Sequence, residues 1–311
     1  MKRCRILITG SEGLIGAALG AALAAAGHQM VGLDLRAATA DAGDVRDRAR
    51  VAAAAAGCDG VVHLAAISRV AWAERDPVAC WHTNVRGLAH VIDAAERQPS
   101  PAWLVFASSR EVYGEAQSLP ATESSPRRPV NVYGQAKVEG ELLVQQAAER
   151  GLRTAIVRFS NVYGHVTDHA DRVVPAFARA AALGGVLRVE GRDNSFDFTH
   201  VDDVVDGMLR LVERLACDQA AVLPPIHFVS GQGRTLGQLA ALAVQLGGRR
   251  SRIVQAPPRR LDVGTFCGCG SRAHALLNWT PRITLEMGLA RLIEDFRRAA
   301  LARSVPIAAP H

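Results

Sequence analysis

Short, continuously apolar runs alternate with longer stretches of helical character along the first half of the chain. "RILITG" (5–10) is a β-branched run closed by glycine, an alanine-rich stretch continues to Gly27, and "MVGLDL" (30–35) is a second apolar run with an acid, Asp34, near its end. The order recurs with "GVVHLAA" (60–66), a helical stretch around 78–97, "AWLVFASS" (102–109), a helix after Tyr133 and "RTAIVRFSNVYG" (153–164). Strands that alternate with helices in this way predict a parallel sheet covered on both faces. The expectation is an α/β chain with a doubly wound parallel sheet over 1–164, to which chain can return near 196–220.

Beyond residue 164 the alternation weakens into a polar loop (165–172), a helix (173–184), a short strand near 186–190 and the acid-rich "FTHVDDVVDGML" (198–209). "IHFVSG" (226–231), a helix from Thr235 and a last helix around 285–300 follow. These predict a smaller α/β substrate domain over 165–300 and an unstructured tail over 301–311. No repeat period is present.

Composition narrows the function classes. The 311 residues are 49% hydrophobic, enough for a sizeable core, and the net charge of +6 is spread over short basic clusters that read as solvated surface, Arg259-Arg260 excepted. Aromatic residues make up 5% and do not interleave with those clusters, which argues against a nucleic-acid surface. The six cysteines are scattered, only Cys267 and Cys269 being close, and no histidine stands at ligand spacing. No metal site is expected, and reduced thiols suit a cytoplasmic protein. The first thirty residues imitate a signal peptide, yet Glu12 interrupts the run and the uncharged stretch from Gly13 to Gly27 is too short to span a bilayer, so no membrane partner is expected.

Gly10-Ser11-Glu12-Gly13-Leu14-Ile15-Gly16 places G-x-x-G-x-x-G between a strand and a helix. Glycines let backbone amides approach a pyrophosphate, whose charge is favoured at a helix N-terminus. Asp34, ending the second strand, is placed to accept from the adenosine ribose hydroxyls. An acid there repels a 2′-phosphate and favours NAD, while nearby Arg36 leaves NADP open.

All three tyrosines lie in a Val-Tyr-Gly tripeptide, at Tyr113, Tyr133 and Tyr163. A phenol has an unperturbed pKa of about 10 and needs a cationic neighbour to act as a base. Four residues on, the same helical face carries Gln117, Lys137 and Thr167 respectively, so Tyr133 is the chemical candidate and the others are strand-end or loop anchors. The strand before it, taken as the fifth of the sheet, ends in Ser108-Ser109 at the edge where open α/β sheets bind ligands.

With "GDVRD" (43–47), "HLAA" (63–66), "NVRG" (84–87), "SSREVYG" (108–114), "YGQAK" (133–137), "RFSNVYG" (158–164), "VVPAF" (173–177) and "FTHVDDVV" (198–205), the chain resembles the extended short-chain dehydrogenase/reductase family, in its NAD-dependent nucleotide-sugar epimerase/dehydratase group, over about residues 4 to 295. The resemblance implies a Rossmann domain whose Gly10, Gly13 and Gly16 cradle the NAD pyrophosphate, with Ile15 also at the cofactor. It further implies that Asp34 holds the ribose, that Asp44 and Val45 lie near adenine, and that Leu64, Ala65 and Ala66 lie along the cofactor. Tyr133 would be the base, Lys137 would hold the nicotinamide ribose and lower the phenol's pKa, and Ser109 would polarise the reacting hydroxyl. Asn161 and Arg259, the latter with Asp262, would contact the nucleotide.

The implied activity is a nucleotide-sugar 4-epimerase working on a UDP-hexose, and relatives imply a homodimer through the helices at 78–97 and 133–150. Arg110-Glu111 replaces the Asp-Glu pair of the dehydratases and disfavours dehydration. Glu111 also fits the decarboxylase pattern, so a UDP-glucuronate decarboxylase or a nucleotide-sugar reductase stands as an alternative, as does a non-catalytic dinucleotide-binding protein. Phe196 stands where many members carry a phosphate-binding arginine. The sugar pocket is expected from loops 66–75, 110–130 and 165–172, with Arg69 or Arg127 available to a sugar carboxylate.

Overall fold

A computed structural model describes residues 3–218, 222–257 and 263–304. In chain order its first half holds β1 (Arg5–Thr9), α1 (Leu14–Ala25), β2 (Gln29–Leu33), α2 (Arg48–Ala55), β3 (Gly60–His63), α3 (Val70–Arg75), α4 (Pro77–Trp81), α5 (Gly87–Glu96), β4 (Trp103–Ser109), α6 (Val132–Glu149), β5 (Thr154–Phe159) and β6 (Asn161–Tyr163). The second half adds α7 (Val173–Leu183), β7 (Val186–Glu190), β8 (Ser195–His200), α8 (Val201–Cys217), β9 (Ile226–Phe228), β10 (Gly233–Thr235), α9 (Leu236–Leu246), β11 (Arg252–Ala256), α10 (Ser271–Leu277) and α11 (Leu285–Ser304).

The expected doubly wound parallel sheet is present, with strand order β2-β1-β3-β4-β5-β9. Successive β1 side chains go to opposite faces, as a strand's two-residue period requires. Ile6 and Ile8 join Leu19 and Leu23 of α1 and Met208, Leu211 and Leu215 of α8 in one core. Leu7 joins Val51, Val61, Leu88, Val91 and Phe106 in the core on the other face. Because β1 leads to β2 on one side and β3 on the other, the order reverses at β1, and ligands of such sheets bind outside the C-terminal strand ends at that reversal.

A third core, built from Val174, Phe177, Leu187, Leu236, Leu239, Leu289 and Ile293, underlies the second half. It is covered by a three-stranded sheet, β10-β8-β6, and a two-stranded one, β11-β7.

Several elements differ from expectation. The helical stretch at 78–97 is three consecutive segments, α4, a π-helical turn at His82–Arg86 and α5. The run at 153–164 divides at Ser160, whose hydroxyl donates to the Asp197 carbonyl at 2.7 Å, so that β5 stays in the large sheet while β6 pairs with β8. The strand ending in Ser108-Ser109 is the fourth in chain order, because α2 and no strand separates β2 from β3. Helix α11 continues through Ser304, four residues into the stretch read as a tail.

Candidate active site

The β1–α1 turn shows why glycine is needed. Gly10 adopts φ 74°, and a Cβ on it would lie 2.7 Å from the Ala65 amide nitrogen; one on Gly16 would lie 2.1 Å from the Gly10 carbonyl oxygen. The turn therefore packs backbone against backbone and leaves the N-terminus of α1, capped by Gly13 without a side-chain hydrogen bond, open towards the cleft. Ser11 Oγ is buried with no hydrogen-bond partner among the described residues. Open amides and absent side chains fit a pyrophosphate.

Asp34 is held at the end of β2 by two backbone donors, Glu12 N at 3.0 Å and Arg36 N at 2.8 Å. Arg36 is turned back onto the Glu12 carbonyl at 2.5 Å and stands 3.6 Å from Asp34. Its charge is thus committed beside the acid. Asp44, Val45, Leu64, Ala65, Ala66 and Ile15 line the same cleft of about 970 Å³. Burial pushes the Asp44 carboxyl up, but its hydrogen bonds and ion pair with Arg46 outweigh this and leave it lowered. These residues fit NAD.

Tyr133 and Lys137 lie in the first turns of α6. Asn131 caps that helix, accepting from Gly134 N at 2.8 Å, and its amide donates to Glu111 Oε2 at 2.8 Å. A Cβ on Gly134 would lie 2.6 Å from the Glu111 carbonyl, so glycine lets the helix start press against the turn after β4. Tyr133 thereby stands beside Ser109, which favours its ionised form. Burial pushes the Tyr133 phenol up to about 12, against the lowering by Ser109 and by the nearby Arg172. The expected depression by Lys137 is not what the chain alone displays. Lys137 Nζ donates to the Ala107 carbonyl at 2.7 Å, and its own pKa is pushed down to about 8 by burial.

The two serines diverge. Ser109 Oγ faces Tyr133 and accepts from Glu111 N at 3.2 Å, while Ser108 Oγ points behind the sheet edge and donates to Glu141 Oε1 at 2.5 Å. Glu141 is fully buried and receives Arg158 through Nε at 2.7 Å and Nη2 at 2.6 Å. Burial raises the Glu141 carboxyl, and the Arg158 hydrogen bonds and charge reverse this to a net lowering. Arg158 Nη1 also donates to Tyr113 Oη at 2.6 Å, and that hydroxyl meets His227 Nε2 at 2.5 Å. Tyr113 is thus an anchor of this buried network, and Tyr163, at the end of β6, packs edge-on against His200 at 5.3 Å.

On the far side of the cleft stand Asn161, Phe196, Asp168 and Arg172. Loop 66–75 meets loop 165–172 through the Arg69–Asp171 ion pair at 2.8 Å, the Arg172–Ser68 hydrogen bond at 3.3 Å and the Trp72–His169 edge contact at 5.1 Å. Of the expected loop 110–130, the cleft lining contains Arg110 and Glu111. Arg127 lies behind with Glu141 at 3.0 Å, so the arginine that enters the pocket from this loop is Arg110. Glu111 is held on both oxygens, by Arg110 at 2.9 Å and by Asn131. Arg259 and Asp262 lie outside the described residues.

Sequence reading passed over Arg110, Asn131, Asp168 and Arg172 as site residues. Asn131 alone carried a local signal, an N-cap residue directly before a helical start. Among the described residues no cluster of His, Cys, Asp or Glu could hold a metal, and no helix is long and apolar enough to cross a membrane.

A family model described as "NAD dependent epimerase/dehydratase family" matches residues 6–222. UDP-glucose 4-epimerase of Corynebacterium glutamicum is 28% identical over 316 residues, covering 94% of this chain and 94% of its own. Among solved structures, UDP-glucose 4-epimerase of Thermotoga maritima with UDP-glucose superposes with a TM-score of 0.88 at 26% identity, covering 95% of this chain and 99% of that one. MoeE5, solved with UDP-glucose and NAD and also with UDP-glucuronic acid and NAD, gives TM-scores of 0.87 and 0.86 at 26% identity over the same shares of each chain.

Proposed function

The chain belongs to the NAD dependent epimerase/dehydratase family, and on that premise we propose that it is a nucleotide-sugar 4-epimerase that oxidises a UDP-hexose transiently at C4. The observation that carries this reading is the convergence, in one cleft, of Ser109 from the end of β4, Tyr133 and Lys137 from the start of α6, and the glycine turn of β1–α1. Bound NAD supplies a hydride acceptor that afterwards returns the hydride. Gly10, Gly13 and Gly16 would hold its pyrophosphate, Asp34 its adenosine ribose and Lys137 its second ribose.

The side chains divide the proton work. Ser109 Oγ orients the C4 hydroxyl, and Tyr133 Oη takes its proton during oxidation and gives one back during reduction. In its ionised form the phenolate is favoured by Ser109 and Arg172, which already pull against its burial. Lys137 adds a cation on the same helical face. Asn161 is the residue we assign to the nucleotide among those described.

A homodimer is supported by apolar side chains left exposed on adjacent helices, Val78 and Trp81 on α4 and Leu142 on α6. Six free thiols suit a reducing, cytoplasmic compartment.

The test is incubation with NAD and, separately, UDP-glucose and UDP-glucuronate, read by proton NMR. The expected product has an axial C4 hydroxyl and forms without net NADH. Tyr133→Phe should lower kcat by about a hundred- to ten-thousand-fold, the usual range for general acid–base catalysis. Unchanged sugar nucleotide in the presence of bound NAD would overturn the reading.

A further inference from the structure

Arg110 directly follows the serine assigned to the C4 hydroxyl, lines the cleft and is 9% exposed. A guanidinium has five N–H donors in one plane. Here a single carboxylate, Glu111, takes Nη2 at 2.9 Å, and Nη1 is buried with no hydrogen-bond partner among the described residues. The plane itself is fixed. Its carbon centre stacks 4.6 Å from the Phe196 ring centroid and lies 6.0 Å from that of Phe266. Glu111 cannot swing away freely, because Asn131 holds its other oxygen.

Such an arrangement is costly unless a ligand completes it. A buried guanidinium with an unfilled donor has already lost its water, and only another acceptor restores the lost interaction. We propose that Arg110 is a specificity residue for a carboxylate at C6 of the sugar, so that the preferred substrate is a nucleotide-hexuronate. This rests on the nucleotide-sugar reading above and sharpens it. C6 hangs from C5, the ring neighbour of C4, and so lies near the residue beside Ser109; the diphosphate leaves from C1 on the other side of the ring. A hydroxymethyl group offers one neutral acceptor, whereas a carboxylate offers two charged oxygens that match a guanidinium edge. Arg127, which the sequence also offered, has its charge spent on Glu141 behind the strand. Arg69 is engaged with Asp171 at 2.8 Å.

The decisive measurement is calorimetric titration of NAD-loaded Tyr133→Phe protein, which cannot turn over, with UDP-glucuronate, UDP-glucose and UDP. The expected result is a preference for UDP-glucuronate over UDP-glucose of about tenfold to a hundredfold, the size of a hydrogen-bonded charge pair. Adding Arg110→Met should collapse that ratio towards one, and Arg110→Lys, which keeps the charge without the fork, should retain part of it. Absence of the preference in the Tyr133→Phe parent overturns the inference without any change at Arg110, so a Met variant that fails to fold does not shield it. A ratio that survives Arg110→Met overturns it too, as does an equal loss for both sugars and for UDP, which would assign Arg110 to the diphosphate. Failure of both sugar nucleotides to bind while NAD binds is a different result. It removes the nucleotide-sugar reading itself.

Discussion

The two sides of the cleft are built differently. The side we assign to the cofactor is backbone: one contiguous stretch from β1 through β2 supplies the glycine turn, the open amides and Asp34, and a Cβ added at Gly10 or Gly16 would meet main-chain atoms of Ala65 or Gly10. The sugar side is assembled from side chains that arrive from the ends of β4, β6 and β8, the start of α6 and two facing loops. A backbone-built site tolerates almost no added atoms but asks little of its surroundings. A side-chain-built site depends on what holds each group from behind, which here is the buried Glu141–Arg158 pair.

That contrast can be broken first from behind. Glu141→Gln leaves Arg158 buried without its carboxylate and should cost about 3–5 kcal/mol of stability in urea unfolding, as removal of one partner of a buried pair does. Retention of full stability would mean that the network is incidental. On the cofactor side, Gly16→Ala forces a Cβ to within 2.1 Å of the Gly10 oxygen. Displacement of the turn should lower NAD affinity by about a hundredfold, or about 3 kcal/mol, in a fluorescence titration. The sugar-side contacts should be unaffected.

A smaller effect comes from His63 beneath the glycine turn. Its ring accepts or donates to Thr9 Oγ1 at 2.7 Å, and burial, with Lys137 nearby, pushes its pKa down to about 3. The unfolded histidine takes up a proton near pH 6.5 that the folded one refuses, so stability present at pH 7 is lost as pH falls below about 6.5. Between pH 6.5 and 5 the loss from this residue should reach at most about 2 kcal/mol, and His63→Asn should flatten the urea-midpoint slope over that interval. The smallest change is Asp34→Ala, expected to weaken NAD about tenfold and narrow its advantage over NADP, measured by competitive titration.

The same contrast explains what the sequence made legible. Cofactor-side residues are near one another in the chain, and each is tied to a local rule: glycine where no Cβ fits, an acid closing a strand, a helix starting with open amides. Tyr133 could be separated from its two namesakes because Lys137 lies one turn away. Arg110, Asp168 and Arg172 obey no such rule. What brings them to one place is the pairing of β6 with β8 and the meeting of two loops far apart in sequence, and the split at Ser160 that permits this pairing depends on a hydroxyl reaching Asp197. The spacing makes Lys137 a helical neighbour of the phenol, yet its ammonium is directed to the Ala107 carbonyl, a contact that no spacing rule supplies.

The edge strand of the large sheet has a consequence for biosynthesis. Strand β5 is paired on its outer side by β9, which is Ile226–Phe228, and the core beneath it is closed by α8. A ribosome that has released the chain only as far as Gly164 has therefore delivered the glycine turn, Asp34, Ser109, Tyr133 and Lys137, but with a bare strand edge and an uncovered apolar face. At about 5–20 residues per second, several seconds pass before the closing strand emerges. Nascent chains in that interval carry the serine, tyrosine and lysine assigned to proton transfer and are prone to pair edge to edge, so holding factors that act on ribosome-bound chains should engage this protein between the synthesis of β5 and that of β9.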